Sequence, residues 1–358
     1  MPESLNMTIA MAPHSTFWNV LGRSFLGLLL LAPSALASAA EVNIYSYREP
    51  QLVQPLLAAF TAKTGIKTNL VFAKDGLVER MAAEAANSPV DVLLTNEFGL
   101  LTLAKEKGVT QSVQSAAIAA DIPAHYRDSD GHWIGLTGRA RVVYASKDRV
   151  KQSAITLEEL AEPQWRGRVC IRSGQYTYNI ALFASLLLHK GAAWTEQWLK
   201  GLKDNLAQKP TGGDRDVAKA IHSGKCDVGI ANTYYLGALA NSANAEQRAW
   251  AASIKVLFPN TADRGTHMNI TGASLARHAP NKAAGVALLE FLASSDAQGL
   301  YASINHEYPL KAGIAWSPTV EAWGAFKGDM AKLEDIARLR RQASELVDKT
   351  NFDAGPGS

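Results

Sequence analysis

The chain has 358 residues, 47% of them hydrophobic and 19% charged, with a formal net charge of +3. This is ordinary globular composition in a chain long enough for two domains. The charge excess is small and no basic block carries it, which argues against nucleic acid as a partner. The 14 prolines and 27 glycines are scattered, and no heptad, internal repeat or low-complexity tract is present.

The first residues differ from the rest. Arg23 precedes an apolar run over 24–32, and residues 33–40 are rich in alanine and serine. A basic residue, a short apolar core and a small-residue end describe a secretory signal peptide over 1–39, with cleavage after Ala39. The run is too short to span a membrane comfortably, and no cysteine follows it to take a lipid anchor. The mature chain is therefore expected to be exported and soluble. Export permits a disulfide. Cys170 and Cys226 each lie in a strand-like segment, so they form a bridge if the two strands are neighbours and two separate buried thiols otherwise.

Residues 42–46 alternate as a strand, 51–63 carry apolar residues at helical spacing, and 67–72 form a second strand. A helix over 76–86, a strand over 89–94 and a helix to Lys107 continue the repeat. Strand and helix alternate as in an open parallel sheet. Residues 139–145 read as a long strand after one complete α/β unit, a candidate crossing into a second domain. Further β-α units follow, with strands at 167–171, 226–231 and 254–258 and helices over 178–188 and 194–207. In the loop 212–216 an aspartate can cap the helix 217–222. Residues 267–272 return through the hinge, and helices over 281–292 and 334–346 follow. This divides the mature chain into one lobe of 40–138 plus 271–350, a second of 139–270, and a loose tail over 351–358.

Two tyrosine clusters stand just beyond strands. Tyr234 and Tyr235 follow the strand containing Cys226, and Tyr176 and Tyr178 follow the one containing Cys170. In α/β proteins ligands bind outside the carboxyl ends of parallel strands, so neighbouring strands would bring these phenols to one edge. A phenol ionises near neutrality only when a cation pulls its pKa down. A hard metal ion and an aromatic box for an organic ligand both fit the tyrosines alone. Arg48, Arg139, Arg141 and Arg172 lie at or near strand ends and suggest an anion or tyrosinates in the same cleft. His267 and His306 read as structural, and no nucleophile motif is present.

The stretches VNIYSYRE (42–49), FTAKTGIK (60–67), LTGRARVVY (136–144), GGDRD (212–216), NTYYLG (232–237) and FPNTADRGTHMNITG (258–272) resemble the periplasmic ferric-ion-binding proteins of iron ABC importers, in their tyrosine-rich branch. The resemblance spans residues 41 to 330. It implies the bilobal periplasmic-binding-protein fold, with two doubly wound α/β lobes joined by two hinge crossings. It also implies a non-enzymatic role: a periplasmic monomer that takes Fe3+ from ferric chelates and passes it to an ABC permease of the inner membrane. Tyr234 and Tyr235 match the paired ligands and Tyr178 the third. Members of that branch place a His-Tyr pair where this chain has Glu49 and Pro50, so Tyr47 or Glu49 is the candidate fourth ligand. Water or a bicarbonate or carbonate anion would otherwise complete the shell, with Arg48, Arg139 or Arg141 balancing the charge. The alternatives are a polyamine, thiamine or phosphonate carrier of the same fold, a secreted enzyme, and a receptor that only signals to a membrane partner.

Overall fold

The computed structural model describes residues 40–358, so the signal peptide expected over 1–39 lies outside the described residues. Ten strands form one curled sheet: β1 (Glu41–Ser46), β2 (Lys67–Phe72), β3 (Val92–Thr95), β4 (Thr110–Gln111), β5 (Ile134–Ser146), β6 (Val169–Cys170), β7 (Val228–Asn232), β8 (Ile254–Leu257), β9 (Met268–Ala276) and β10 (Tyr308–Pro309). The main path runs β2-β1-β3-β9-β5-β7-β6, with β10 and β8 on β5 and β4 on β9.

The first three strands pair in parallel, β2 and β3 on either side of β1. Parallel neighbours need a crossover, and helices Pro50–Thr64 and Leu77–Glu84 supply it. Proline at the first helical position is preorganised for the turn, and Gly65 closes the helix in the left-handed conformation (φ 73°). The apolar faces of these elements meet in a core that includes Ile44, Phe60 and Val92.

The mixed α/β fold is joined in its middle by two long antiparallel strands. All 13 residues of β5 are buried. Its first part, Ile134 to Ala140, pairs with β9, whereas Arg141 to Ala145 pairs with β7. β9 in turn reaches β3 through Gly272 to Leu275. The chain thus crosses from the β1–β3 region to the β6–β8 region along β5 and returns along β9. The crossing begins at Ile134, earlier than the 139 expected from the strand pattern. Gly135 and Gly138 hide it, because glycine weakens a strand signal. Both are needed for close packing: a β-carbon on Gly135 would lie 2.9 Å from Leu310 and from the Tyr126 carbonyl.

Two expectations at the C-terminus need correction. Residues 271–350 do not all stay with the first region. Helix Leu333–Arg338 touches both Phe98–Glu106 and Thr177–Lys190, and helix Arg340–Lys349 packs on Thr177–Lys190. Nor is 351–358 loose. Phe352 is completely buried and packs against Phe183. Asp353 accepts from Ser173 Oγ and the Gly174 amide, both at 2.6 Å. The tail is polar in composition, and one aromatic anchor is enough to dock it.

Cys170 and Cys226 form a disulfide that closes 56 residues, with Cα atoms 5.9 Å apart. It joins β6 to the residue segment leading into β7, and the two strands are parallel neighbours. A link of this span mainly restricts the unfolded chain. Replacing both cysteines by alanine should lower unfolding free energy by about 2–4 kcal/mol in urea titration, with an unchanged far-ultraviolet spectrum of the folded state.

Candidate functional site

β6 and β7 end side by side, and each is followed by a helix whose first turn carries tyrosine. Tyr178 is the second residue of helix Thr177–Lys190. Tyr234 and Tyr235 are the second and third of helix Thr233–Ala240. On a strand adjacent residues face opposite ways, but on a first helical turn both can lean to one side. The rings of Tyr234 and Tyr235 lie 4.1 Å apart, and the hydroxyls of Tyr178 and Tyr234 are 3.5 Å apart. Tyr176 stands edge-on to Tyr178 at 4.9 Å. The structure therefore brings Tyr178, Tyr234 and Tyr235 together as the spacing suggested, with Tyr176 beside them. They border a cavity of ≈ 1170 Å³ that Arg48, Glu49, Arg172 and Arg215 also line.

These phenols are held protonated by their surroundings. Burial is the main cause that lifts Tyr234 well above its ordinary value of 10, and charge on Tyr178 or Tyr235 would lift it further; Arg139 and Arg48 oppose this. Burial also raises Tyr178 and Tyr235, and takes Tyr176 up to about 12. Three neutral phenols at the wall of this cavity become anions near neutral pH when a cation arrives between them.

The arginines divide into two roles. Arg139 is fully buried and lies over the rings of Tyr178 and Tyr234, at 5.5 and 5.6 Å. Its Nη2 donates to the Asn96 carbonyl, while Nε and Nη1 have no partner. Arg141 is committed elsewhere: it donates to Asp214 (2.7 Å), Asn232 Oδ1 (3.2 Å) and Asn179 Oδ1 (2.6 Å). Arg48 donates to Glu307 at 2.7 Å and Thr271 at 3.0 Å. Two of its nitrogens also lack partners. Arg172 covers Tyr176 at 3.2 Å, and Arg215 covers Tyr235 at 4.9 Å. Arg215 escaped the sequence reading because an exposed arginine after an aspartate resembles any solvated helix start.

The 212–216 loop supplies the expected capping aspartate in Asp216, and the helix starts earlier than expected. The helix begins at Asp214 itself, and Asp216 accepts from the Gly213 amide at 2.7 Å. Asp214 is almost completely buried. It accepts from Arg141, from Arg172 at 3.4 Å and from the Asn232 amide at 2.8 Å. The two proposed fourth ligands also differ in setting. The Tyr47 hydroxyl accepts from the Val78 amide at 2.8 Å, at the start of helix Leu77–Glu84. Glu49 accepts from Gln51 at 2.5 Å, and Tyr47 and Glu49 both line the cavity. His267 is buried with both ring nitrogens unpartnered, and burial takes its pKa down to about 4. His306 shares a 3.2 Å hydrogen bond with Ser317.

Asp214→Ala would leave the Arg141 guanidinium buried without its counterion. The variant should lose roughly 3–5 kcal/mol in urea unfolding, the cost of breaking a buried pair from one side. Asp216→Ala removes only an exposed cap and should lose about 1 kcal/mol. Equal losses would show that Asp214 is not the stronger anchor.

Residues 45–299 match the family model described as bacterial extracellular solute-binding protein. Over 98% of this chain and 100% of the relative, the sequence is 39% identical to iron uptake protein A1 of Synechocystis sp.. The apo ferric ion-binding protein A of Pasteurella haemolytica superposes with a TM-score of 0.84 at 47% identity, over 88% of this chain and 99% of that one. A Bordetella ferric binding protein superposes with a TM-score of 0.81 at 50% identity, over 87% and 99% of the two chains.

Proposed function

The chain belongs to the bacterial extracellular solute-binding protein family, and from that premise we propose that it binds Fe3+ through tyrosinate oxygens and delivers it to an ABC permease of the inner membrane. The observation that carries this reading is the convergence of Tyr178, Tyr234 and Tyr235, the first two beneath Arg139, a buried cation with no carboxylate partner among the described residues. Three tyrosinates neutralise one ferric ion, and Arg139 then faces negative oxygen rather than neutral rings. A polyamine or thiamine would place its positive charge against Arg48, Arg139 and Arg172, so an organic cation is disfavoured.

The protein acts in the periplasm as a monomer that takes iron from ferric chelates. No helix among the described residues is long and apolar enough to cross a membrane. Its role is binding and transfer, without catalysis. The cleft between the β1–β3 region and the β6–β8 region closes by bending at β5 and β9. Tyr47 and Glu49 both line the cavity and are the two candidates for a fourth ligand, each with one hydrogen bond to a protein donor, from the Val78 amide and from Gln51. A carbonate-class anion would find the unpartnered nitrogens of Arg48 and Arg139 close by.

Visible titration of the chelator-stripped protein with ferric citrate tests the reading. A red-orange phenolate-to-iron band should saturate near one equivalent, and Tyr178→Phe, Tyr234→Phe and Tyr235→Phe should each weaken or shift it. A colourless protein that takes up no iron would overturn the assignment. Because the phenols are protonated at neutral pH and burial raises their pKa further, protons compete with iron, so iron is retained at high pH and lost as pH falls. Arg139 opposes protonation of Tyr178 and Tyr234, so Arg139→Ala should release iron at a higher pH than the unaltered protein. Arg141→Ala should act mainly through stability.

A further inference from the structure

The turn after β3 carries a second polar cluster around one buried carboxylate, close to Tyr178 in the chain but built from three remote segments, with Thr177 and Arg340 half-buried. Glu97 is fully buried. One of its oxygens accepts from the Gly99 amide at 2.8 Å and from Arg340 Nη1 at 2.5 Å. The other accepts from Thr177 Oγ1 at 3.0 Å. Arg340 Nη2 also donates to Thr177 Oγ1, at 2.9 Å, and closes a triangle. The corners lie at the end of the β1–β3 region, at the start of the helix that presents Tyr178, and in the C-terminal helix Arg340–Lys349. Asn96, next to Glu97, receives Arg139 through its carbonyl. The same turn therefore holds the cation above the phenols and the helix that supplies one of them.

The local sequence makes room for this contact. A β-carbon on Gly99 would lie 2.4 Å from Arg340 Nε and 2.6 Å from its Cζ. Any side chain at that position would push the guanidinium away from Glu97. Gly99 is otherwise an ordinary residue in the first turn of helix Phe98–Glu106, where glycine is unfavourable. Its smallness has a use only if the arginine must pass.

We propose that Glu97, Thr177 and Arg340 form a clasp that holds the tyrosine-bearing region against the first region and makes Glu97 and Arg340 positioning residues for the metal centre. The clasp deepens the ferric reading and rests on it for its role in metal release. None of its three residues is a candidate ligand, so its hold on the two regions does not depend on metal. Parting the regions separates Glu97 from Thr177 and draws the buried carboxylate toward water. A charge-assisted hydrogen bond is among the stronger ones, so the clasp opposes opening. Residues beyond 330 thereby set how long iron stays.

Two measurements on the purified protein decide the matter. The first is the radius of gyration of the chelator-stripped protein by small-angle X-ray scattering, for the unaltered chain, Arg340→Ala and Gly99→Ala. Both variants should be more open. Gly99→Ala keeps every clasp side chain and is the safeguard if loss of the arginine impairs folding. The second is the rate of iron loss to an excess of external chelator, followed at the phenolate band. Release should quicken on the order of tenfold in both variants, as expected for one lost charge-assisted hydrogen bond. The band should shift, and Arg340→Lys should restore part of the effect. Arg341→Ala, whose side chain is 90% exposed, should leave both readings unchanged. Unchanged scattering and release in Arg340→Ala and Gly99→Ala, with iron loading intact, would overturn the clasp. If the unaltered protein takes up no iron, the ferric reading fails, and the scattering comparison still decides whether the clasp holds the regions together.

Discussion

Asp214 ties together three strands, β5 at its middle and β6 and β7 at their ends. Arg141 comes from β5, Arg172 from just beyond β6, and the Asn232 amide from the last residue of β7. A carboxylate this deep would be costly without its guanidinium partners, so the middle of β5 and the ends of β6 and β7 are held to one geometry. The helices carrying Tyr178 and the Tyr234–Tyr235 pair start within a few residues of these anchors. Their phenols converge because their starting points are fixed. The same interaction sorts the arginines of β5. Arg139 and Arg141 are two residues apart on one strand and share a face. Asp214 satisfies Arg141, and Arg139 remains over the rings.

The chemistry of the cleft follows from burial set against charge. Burial raises the cost of ionising the phenols, and nearby guanidinium groups offset part of it. On the reading proposed above, a trivalent oxygen-seeking ion would close the gap. Zn2+ would be expected to recruit sulfur or imidazole as well. The two cysteines are joined in a disulfide, and His267 is not among the residues lining the cleft. Release is then a matter of removing what stabilises the tyrosinates, by opening the cleft or by reducing the metal.

Much of this was legible in the sequence. The alternation of strand and helix, the crossing along β5 and β9 and the position of the tyrosines beyond β6 and β7 all rest on local periodicity and turn chemistry. Cys170 and Cys226 each sit in a strand-like segment, which left a bridge and two separate thiols open; the parallel pairing of β6 with β7 decides for the bridge. What stayed hidden depends on contacts distant in sequence. Asp214 looks like a helix cap because an aspartate at a helix start usually is one; only the approach of Arg141, 73 residues earlier, makes it an anchor. Arg340 and Glu97 are 243 residues apart, and nothing in the polar helix around Arg340 marks it as part of a site. The docking of Phe352 was missed for the same reason, since its partners belong to a helix formed much earlier in the chain.

The central claim is that one ferric ion replaces the protons of a set of buried phenols. Counting the protons released on iron loading, by calorimetry in two buffers of different ionisation enthalpy with the ferric chelate's own protonation subtracted, tests it most directly. About three protons per iron are expected near neutral pH, since a phenol with a reference pKa of about 10 starts fully protonated there. Stoichiometric iron uptake with no proton released would contradict the account, because the metal would then be held by groups already charged.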